Sequence, residues 1–166
     1  MFTDLEIFKK SWLEESDGTT RVLNNLTNQS LTQKVWEEGR TLGALTWHIV
    51  SAVPEMLQTA GLQVDSVPAE SDDPNDVTEY QKLYKKYTEM AVELINSNWT
   101  NEMLLDEIDM YGEKWTRGYM LDIMLRHQSH HRGQMTVLMR QAGLKVPGVC
   151  GPSKEEWEAM INPDAK

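Results

Sequence analysis

The chain has four histidines, His48, His127, His130 and His131, and three of them fall within five consecutive residues. His127 and His131 are one helical turn apart, about 40° around the axis, so on a helix their imidazoles converge on one point. A third ligand has to come from another element, and His48 is the remaining histidine outside that stretch. Three neutral imidazoles with no fourth protein ligand leave positions open to water or substrate, as in a catalytic rather than a structural site. Imidazole-only ligation suits zinc, nickel, copper, cobalt or iron(II), whereas calcium and magnesium take oxygen ligands. The competing interpretation is a polar cluster in the core that packs without metal.

The stripe each histidine occupies separates His131 from His130. His127 and His131 continue the apolar row Met120, Met124, Met135 and Leu138, which must face inward. His130 falls with Tyr119, Ile123, Arg126 and Val137, where Arg126 marks a wetter face. The expected ligands are His48, His127 and His131, with His130 as an outer group or substitute ligand.

Other residues are candidates for the chemistry around an ion. Glu55, seven residues after His48, shares its face and is a candidate general base or acceptor for a ligand's ring N–H. Arg132 is a candidate to orient an anionic substrate, with ion pairing as its alternative role. Ser51 and Gln134 sit one turn or less from proposed ligands and can line the site. Met120, Met124 and Met135 are expected to form an adaptable apolar wall. Gly133, costly inside a helix, is expected where another helix passes close. Trp47 reads as packing, Cys150 as inert, and the pairs Glu37-Glu38, Asp72-Asp73 and Glu155-Glu156 as solvated faces.

The elements that must position these groups are helical. Leu5, Phe8, Trp12, Val22, Leu23 and Leu26 recur every three or four residues and predict a first helix from Asp4 to about Leu26, with Gly18 a weak point. Thr41 caps a second helix over 42–60 that carries His48, contains Pro54, where a bend is expected, and stops at Gly61. Asp76 with Glu79 has capping-box spacing and opens a third helix ending near Asn96 to Asn98. Residues 99–115 read as a short turn followed by a possible extended piece at 106–111. The fourth helix runs from about Thr116 to Gln141, with Gly143 as its stop, and Ser153 with Glu156 starts a final short one.

Four long amphipathic segments without a convincing sheet predict an all-α four-helix bundle, one domain over residues 1–166. The first and third connections are long, which predicts crossovers there and an up-up-down-down order. The 16 Lys+Arg against 26 Asp+Glu give a net charge of −10, so a nucleic-acid partner would meet a repulsive field. No apolar run approaches the roughly 20 residues of a membrane span, and Met1 to Glu6 lacks the basic and apolar regions of a signal peptide. A single cysteine excludes a disulfide framework. The expected setting is therefore cytoplasmic, with no membrane and no nucleic acid, a small-molecule substrate, and a homodimer suggested by the Trp and Met content.

The stretch L-D-I-M-L-R-H-Q-S-H-H-R-G-Q-M-T-V-L-M-R-Q-A-G, residues 121–143, resembles the last bundle helix of the DinB/YfiT-like superfamily. T-L-G-A-L-T-W-H-I-V, with His48, is similar to its second helix, and K-V-P-G-V-C-G-P-S-K-E-E-W to a C-terminal segment of some members. The resemblance implies a bundle holding a divalent metal, often zinc or nickel, on three histidines, which here are His48, His127 and His131. It also implies kinship with transferases and isomerases that use a low-molecular-weight thiol such as bacillithiol, mycothiol or glutathione. The leading expectation is a thiol-dependent S-transferase. A metal-dependent hydrolase and a non-catalytic metal-binding stress or interaction protein are the alternatives.

Overall fold

A computed structural model describes residues 1–162. Four long helices carry the fold: α1 Leu5–Leu23, α2 Leu42–Thr59, α3 Val77–Asn98 and α4 Arg117–Gln141. A two-stranded hairpin, β1 Glu107–Met110 and β2 Glu113–Thr116, precedes α4, and a short helix α5, Lys154–Ile161, closes the described chain. Side-chain oxygens cap each start. Asp4, Thr41, Asp76, Thr116 and Ser153 accept from a backbone N–H three residues on, satisfying donors that have no partner within the helix. The expected stops Gly61 and Gly143 have φ of +86° and +75°, the left-handed region that glycine enters at least cost.

The bundle expectation holds, but the order of helix directions does not. The N–H of Phe2 donates to the Gly118 carbonyl and Arg132 reaches Glu15 and Thr19, so residue numbers on α1 and α4 rise together and these helices are parallel. Trp12 donates to the Thr88 carbonyl and Gln81 to that of Leu23, which makes α1 and α3 antiparallel. Contacts of Gly43 with Asn75 and of Trp47 with Tyr80 make α2 and α3 parallel. The order is up-down-down-up, and the one crossover is the second connection, residues 60–76.

Connection length misled because residues were spent on local structure rather than on distance. The first connection folds into a 3-10 turn at Asn28–Thr32, whose Leu31 meets Gly43 at the start of α2. The third holds another such turn, Glu102–Leu105, and then the hairpin. Met110 pairs with Glu113, and the two turn residues Tyr111 and Gly112 both have positive φ, 54° and 83°, as a tight type I′ turn requires. Both connections therefore leave and return at one end of the bundle.

Around the ring, α1 packs on α3 and α4, and α2 packs on α3 and α4. The interior is filled by Phe8, Trp12, Ile49, Tyr80, Tyr84, Met120, Met124 and Met135, all nearly or fully buried. The α2 helix is continuous through Pro54. Two glycine expectations change. Gly133 faces open space, and no helix passes it. The close approaches are elsewhere: a Cβ at Gly18 would lie 2.6 Å from Val149 of the tail loop, and one at Gly118 would run into the backbone carbonyl of Phe2. No helix among the described residues is long and apolar enough to cross a membrane.

Candidate metal centre

Because α2 and α4 run antiparallel in contact, the inward face of α2 at position 48 meets that of α4 at 127 and 131. The Nε2 atoms of His48 and His127 face each other at 3.0 Å. The three ring centroids are 4.5–4.8 Å apart and the rings are steeply inclined to one another, edge towards face. One nitrogen from each of His48, His127 and His131 lies within 4.8 Å of the others, and all three residues are half-buried. The described residues contain no other such group of three histidine, cysteine or carboxylate side chains.

A buried clamp holds this register. Gln128, 2 % exposed, follows His127 and donates from its amide to the carbonyl of Ile49, which follows His48. Its amide oxygen accepts from the hydroxyl of Tyr84 on α3. One side chain thus ties three helices together one residue from the facing pair. A second glutamine acts at the outer edge: the Gln134 oxygen lies 2.8 Å from His131 Nδ1, and its nitrogen 3.2 Å from His130 Nε2. With Nδ1–H donating to Gln134, His131 presents Nε2 as its lone-pair nitrogen, the arrangement that outer partners impose on metal-bound histidines. His130 is exposed, its ring stands edge to face against that of His131 with centroids 4.8 Å apart, and Gln134 bridges the two.

The donor set fits a transition-metal ion. Tetrahedral bonds of 2.0–2.1 Å imply ligand-to-ligand edges of about 3.3 Å, close to the spacing of the facing nitrogens. Burial lowers the pKa of all three imidazoles, and each would also be repelled by a protonated neighbour; His127 falls to about 4. Near neutral pH the rings are therefore free bases, the form that binds metal. The far nitrogen of one ring, His127 Nδ1, is buried without a partner.

The cluster opens on both sides. A recess of about 500 Å³ contains His131 and Gln134 against an apolar wall of Val35, Trp36, Leu45, Val137 and Leu138. A smaller recess of about 290 Å³ holds His48 and Ser51 with Trp47, Ala44 and Glu70. Arg40 lines both. The wall differs from the expected one, because Met120, Met124 and Met135 are buried in the core at 0–2 % exposure. Trp36 and Val35 supply it from the first connection, where no periodicity marked them.

The two catalytic candidates lie apart from the cluster. Glu55 accepts from the Tyr111 hydroxyl at 2.8 Å and from Thr59, bracing the hairpin against α2 two turns below His48. Arg132, 4 % exposed, points to α1, where it pairs with the Glu15 carboxylate at 2.6 Å and donates to Thr19. It lines neither recess, so ion pairing is the role its position gives it. Cys150 is exposed in the tail loop, which packs on α1 at Gly18. Of the acidic pairs, two are not merely solvated: Glu156 accepts from the N–H groups of Gly148 and Ser153, and Asp72 and Asp73 accept from the N–H groups of Ala69 and Asn75, Asp73 also from the Tyr80 hydroxyl.

Comparison with known proteins agrees with this architecture. The uncharacterized protein YrdA of Bacillus subtilis is 39% identical over 157 residues, covering 95% of this chain and 94% of YrdA. YjoA, also uncharacterized and from B. subtilis, is 24% identical over 135 residues, 80% of this chain and 86% of YjoA. A crystal structure of a DinB-like protein from Bacillus cereus ATCC 10987 superposes with a TM-score of 0.85 at 39% identity, covering 90% of this chain and 99% of that one. The crystal structure of YjoA superposes with a TM-score of 0.66 at 21% identity, over 86% of this chain and 96% of that one, and shares the fold. A model of the DinB family matches residues 1–165, and the chain belongs to that family.

Proposed function

We propose that this protein is a divalent-metal-dependent enzyme that transfers the carbon group of an alkylating electrophile to a low-molecular-weight thiol. The thiol gives up its proton to solvent, its sulfur forms the new C–S bond, and the bond from that carbon to the leaving group breaks with its electron pair on the leaving group. The observation that carries the reading is the convergence of three imidazoles, with no carboxylate or thiolate completing the set, beside an apolar recess that His131 lines. Zinc or nickel suits such ligands, and His48, His127 and His131 would hold it. A divalent ion bound there supplies Lewis acidity, lowering the pKa of a thiol so that thiolate forms near neutral pH.

The chain's own residues do the remainder. Gln128 fixes the spacing between His48 and His127, and Gln134 fixes the ring of His131. Trp36, Leu45 and Val137 form an apolar wall on one side of the recess and favour an apolar electrophile. The cytoplasm, where such thiols stay reduced, is the setting of this reading, and a homodimer is its assembly state; sedimentation velocity at two concentrations tests the latter.

The deciding experiment measures metal by mass spectrometry in tag-free wild type, His48→Ala and His131→Ala. About one zinc or nickel per wild-type chain, lost from both variants, is the expected result. Loaded protein is then assayed for thiol consumption with bacillithiol, mycothiol and glutathione against a panel of alkylating electrophiles. No metal in wild type after exposure to each divalent ion would refute the metalloenzyme. Hydrolysis of an ester panel without thiol consumption would move the assignment to a metal-dependent hydrolase.

A further inference from the structure

The chain has six arginines, and five of them, Arg21, Arg117, Arg126, Arg132 and Arg140, lie within 4.0 Å of a carboxylate. Arg40 is the exception among the described residues. It precedes Thr41, the cap of α2, and is exposed. It lines the apolar recess that contains His131 and also the polar recess that contains His48. A cation left unpaired in a chain of net charge −10, beside the candidate metal centre, calls for an explanation.

We propose that Arg40 is the anion-binding group of this site, and that the recess takes a small organic monocarboxylate with an apolar aryl or alkyl body. This rests on the reading of the histidine cluster as a small-molecule site. The guanidinium offers a planar fork that matches a carboxylate, while Trp36, Leu45 and Val137 cover the body of the ligand. Trp36 is 63% exposed and Val137 51%, so a bound apolar group would cover surface now facing water. The recess volume of about 500 Å³ lies in the range of small-molecule sites. Glu38 lines the same recess and Glu70 the polar one, and these two acids disfavour a multiply charged phosphate while tolerating a single carboxylate.

The test compares 4-phenylbutyrate with its neutral amide, 4-phenylbutyramide, by calorimetric titration of tag-free protein in zinc-loaded and zinc-stripped forms. Wild type is expected to bind the acid about tenfold more tightly than the amide in both forms. Arg40→Gln should bring the acid to the level of the amide with metal content unchanged, and Arg40→Lys should restore part of the difference. Equal binding of acid and amide by wild type, or no binding of either up to about 10 mM, would overturn the proposal. So would an acid preference that survives Arg40→Gln or disappears on removing zinc, since the carboxylate would then be held elsewhere or by the ion. A wild type that never takes up metal yet keeps the acid preference through Arg40 would refute the metalloenzyme and leave this subsite standing.

Discussion

Helix α4 presents polar side chains to the bundle in two places, and the two differ in how they are satisfied. Towards α1, Arg132 meets a carboxylate, a backbone carbonyl and a hydroxyl, so a buried positive charge finds a negative partner. Towards α2, three imidazoles meet one another without a carboxylate among them, and an acid, Glu70, stands in the recess beside His48. Burial drives both groups of residues to some resolution, since a polar group removed from water has to find a partner. On the α1 side the chain supplies that partner. On the α2 side it turns imidazole nitrogens towards one another, which is the condition a metal ion can resolve.

The comparison breaks most readily at the ion pair. Arg132→Met leaves Glu15 facing a packed interface without its partner, and a loss of about 3–5 kcal/mol in urea unfolding is expected. Metal content per folded chain should stay at the wild-type level, because Arg132 touches neither recess. Loss of metal in this variant would mean that the two faces of α4 are coupled.

A change at Gln128 sharpens the comparison from the other side. Gln128→Met keeps the volume and removes the hydrogen bonds to Tyr84 and Ile49, so a cost of about 1–3 kcal/mol is expected. Because the clamp sets the spacing of His48 and His127, metal affinity should fall by about 10–100-fold as well. A cobalt(II) titration followed by its visible spectrum separates the effects: a stability loss with an unaltered spectrum and affinity would make Gln128 a packing residue only.

Acid acts on the imidazole side through a defined window. His127 titrates near 4 in the folded protein and at its ordinary 6.5 when unfolded. Between these values the unfolded chain binds a proton that the folded chain does not, so the metal-free protein is most stable above pH 6.5 and loses stability as pH falls towards 4. His48 and His131 are lowered too and act in the same direction. His127→Gln should flatten the dependence of the melting temperature on pH across that window; an unchanged slope would assign it to other groups.

The smallest expected effect is a gain. Gly133 lies inside α4 with nothing within 4 Å of where a Cβ would stand. Gly133→Ala should therefore stabilise the protein by about 0.5–1 kcal/mol in thermal unfolding, without altering metal content. A loss instead would show that this position is kept bare for a ligand or a partner.

The histidine cluster was legible because one-turn spacing on a helix is a geometric statement, and because one histidine remained to complete it. The caps and stops were legible for the same reason: Thr41, Asp76, Gly61 and Gly143 act through their own backbone, within a few residues. Helix directions were not, since a count of connecting residues does not say whether they travel or curl into a turn or hairpin. Arg132 and Gln128 follow ligands in the sequence, but one residue on a helix is a rotation of about 100°, which points each at a different neighbour. Arg40 and Trp36 sit in a connection without periodicity, and only the path of that segment over the end of α2 brings them to the site.

The up-down-down-up order has a bearing on how the protein assembles. Helices α1 and α2 occupy opposite corners of the ring, as do α3 and α4, so neither pair of sequence neighbours forms a hairpin that covers its own apolar stripe. The stripe of α1 waits for α3 and α4, and the ligands on α2 and α4 are separated by 79 residues of chain. Contacts so distant in sequence close late on the folding path. During synthesis His48 therefore emerges long before its partners: α4 brings His127 and His131 together by itself, and the full nest of three imidazoles exists only once that final long helix has docked.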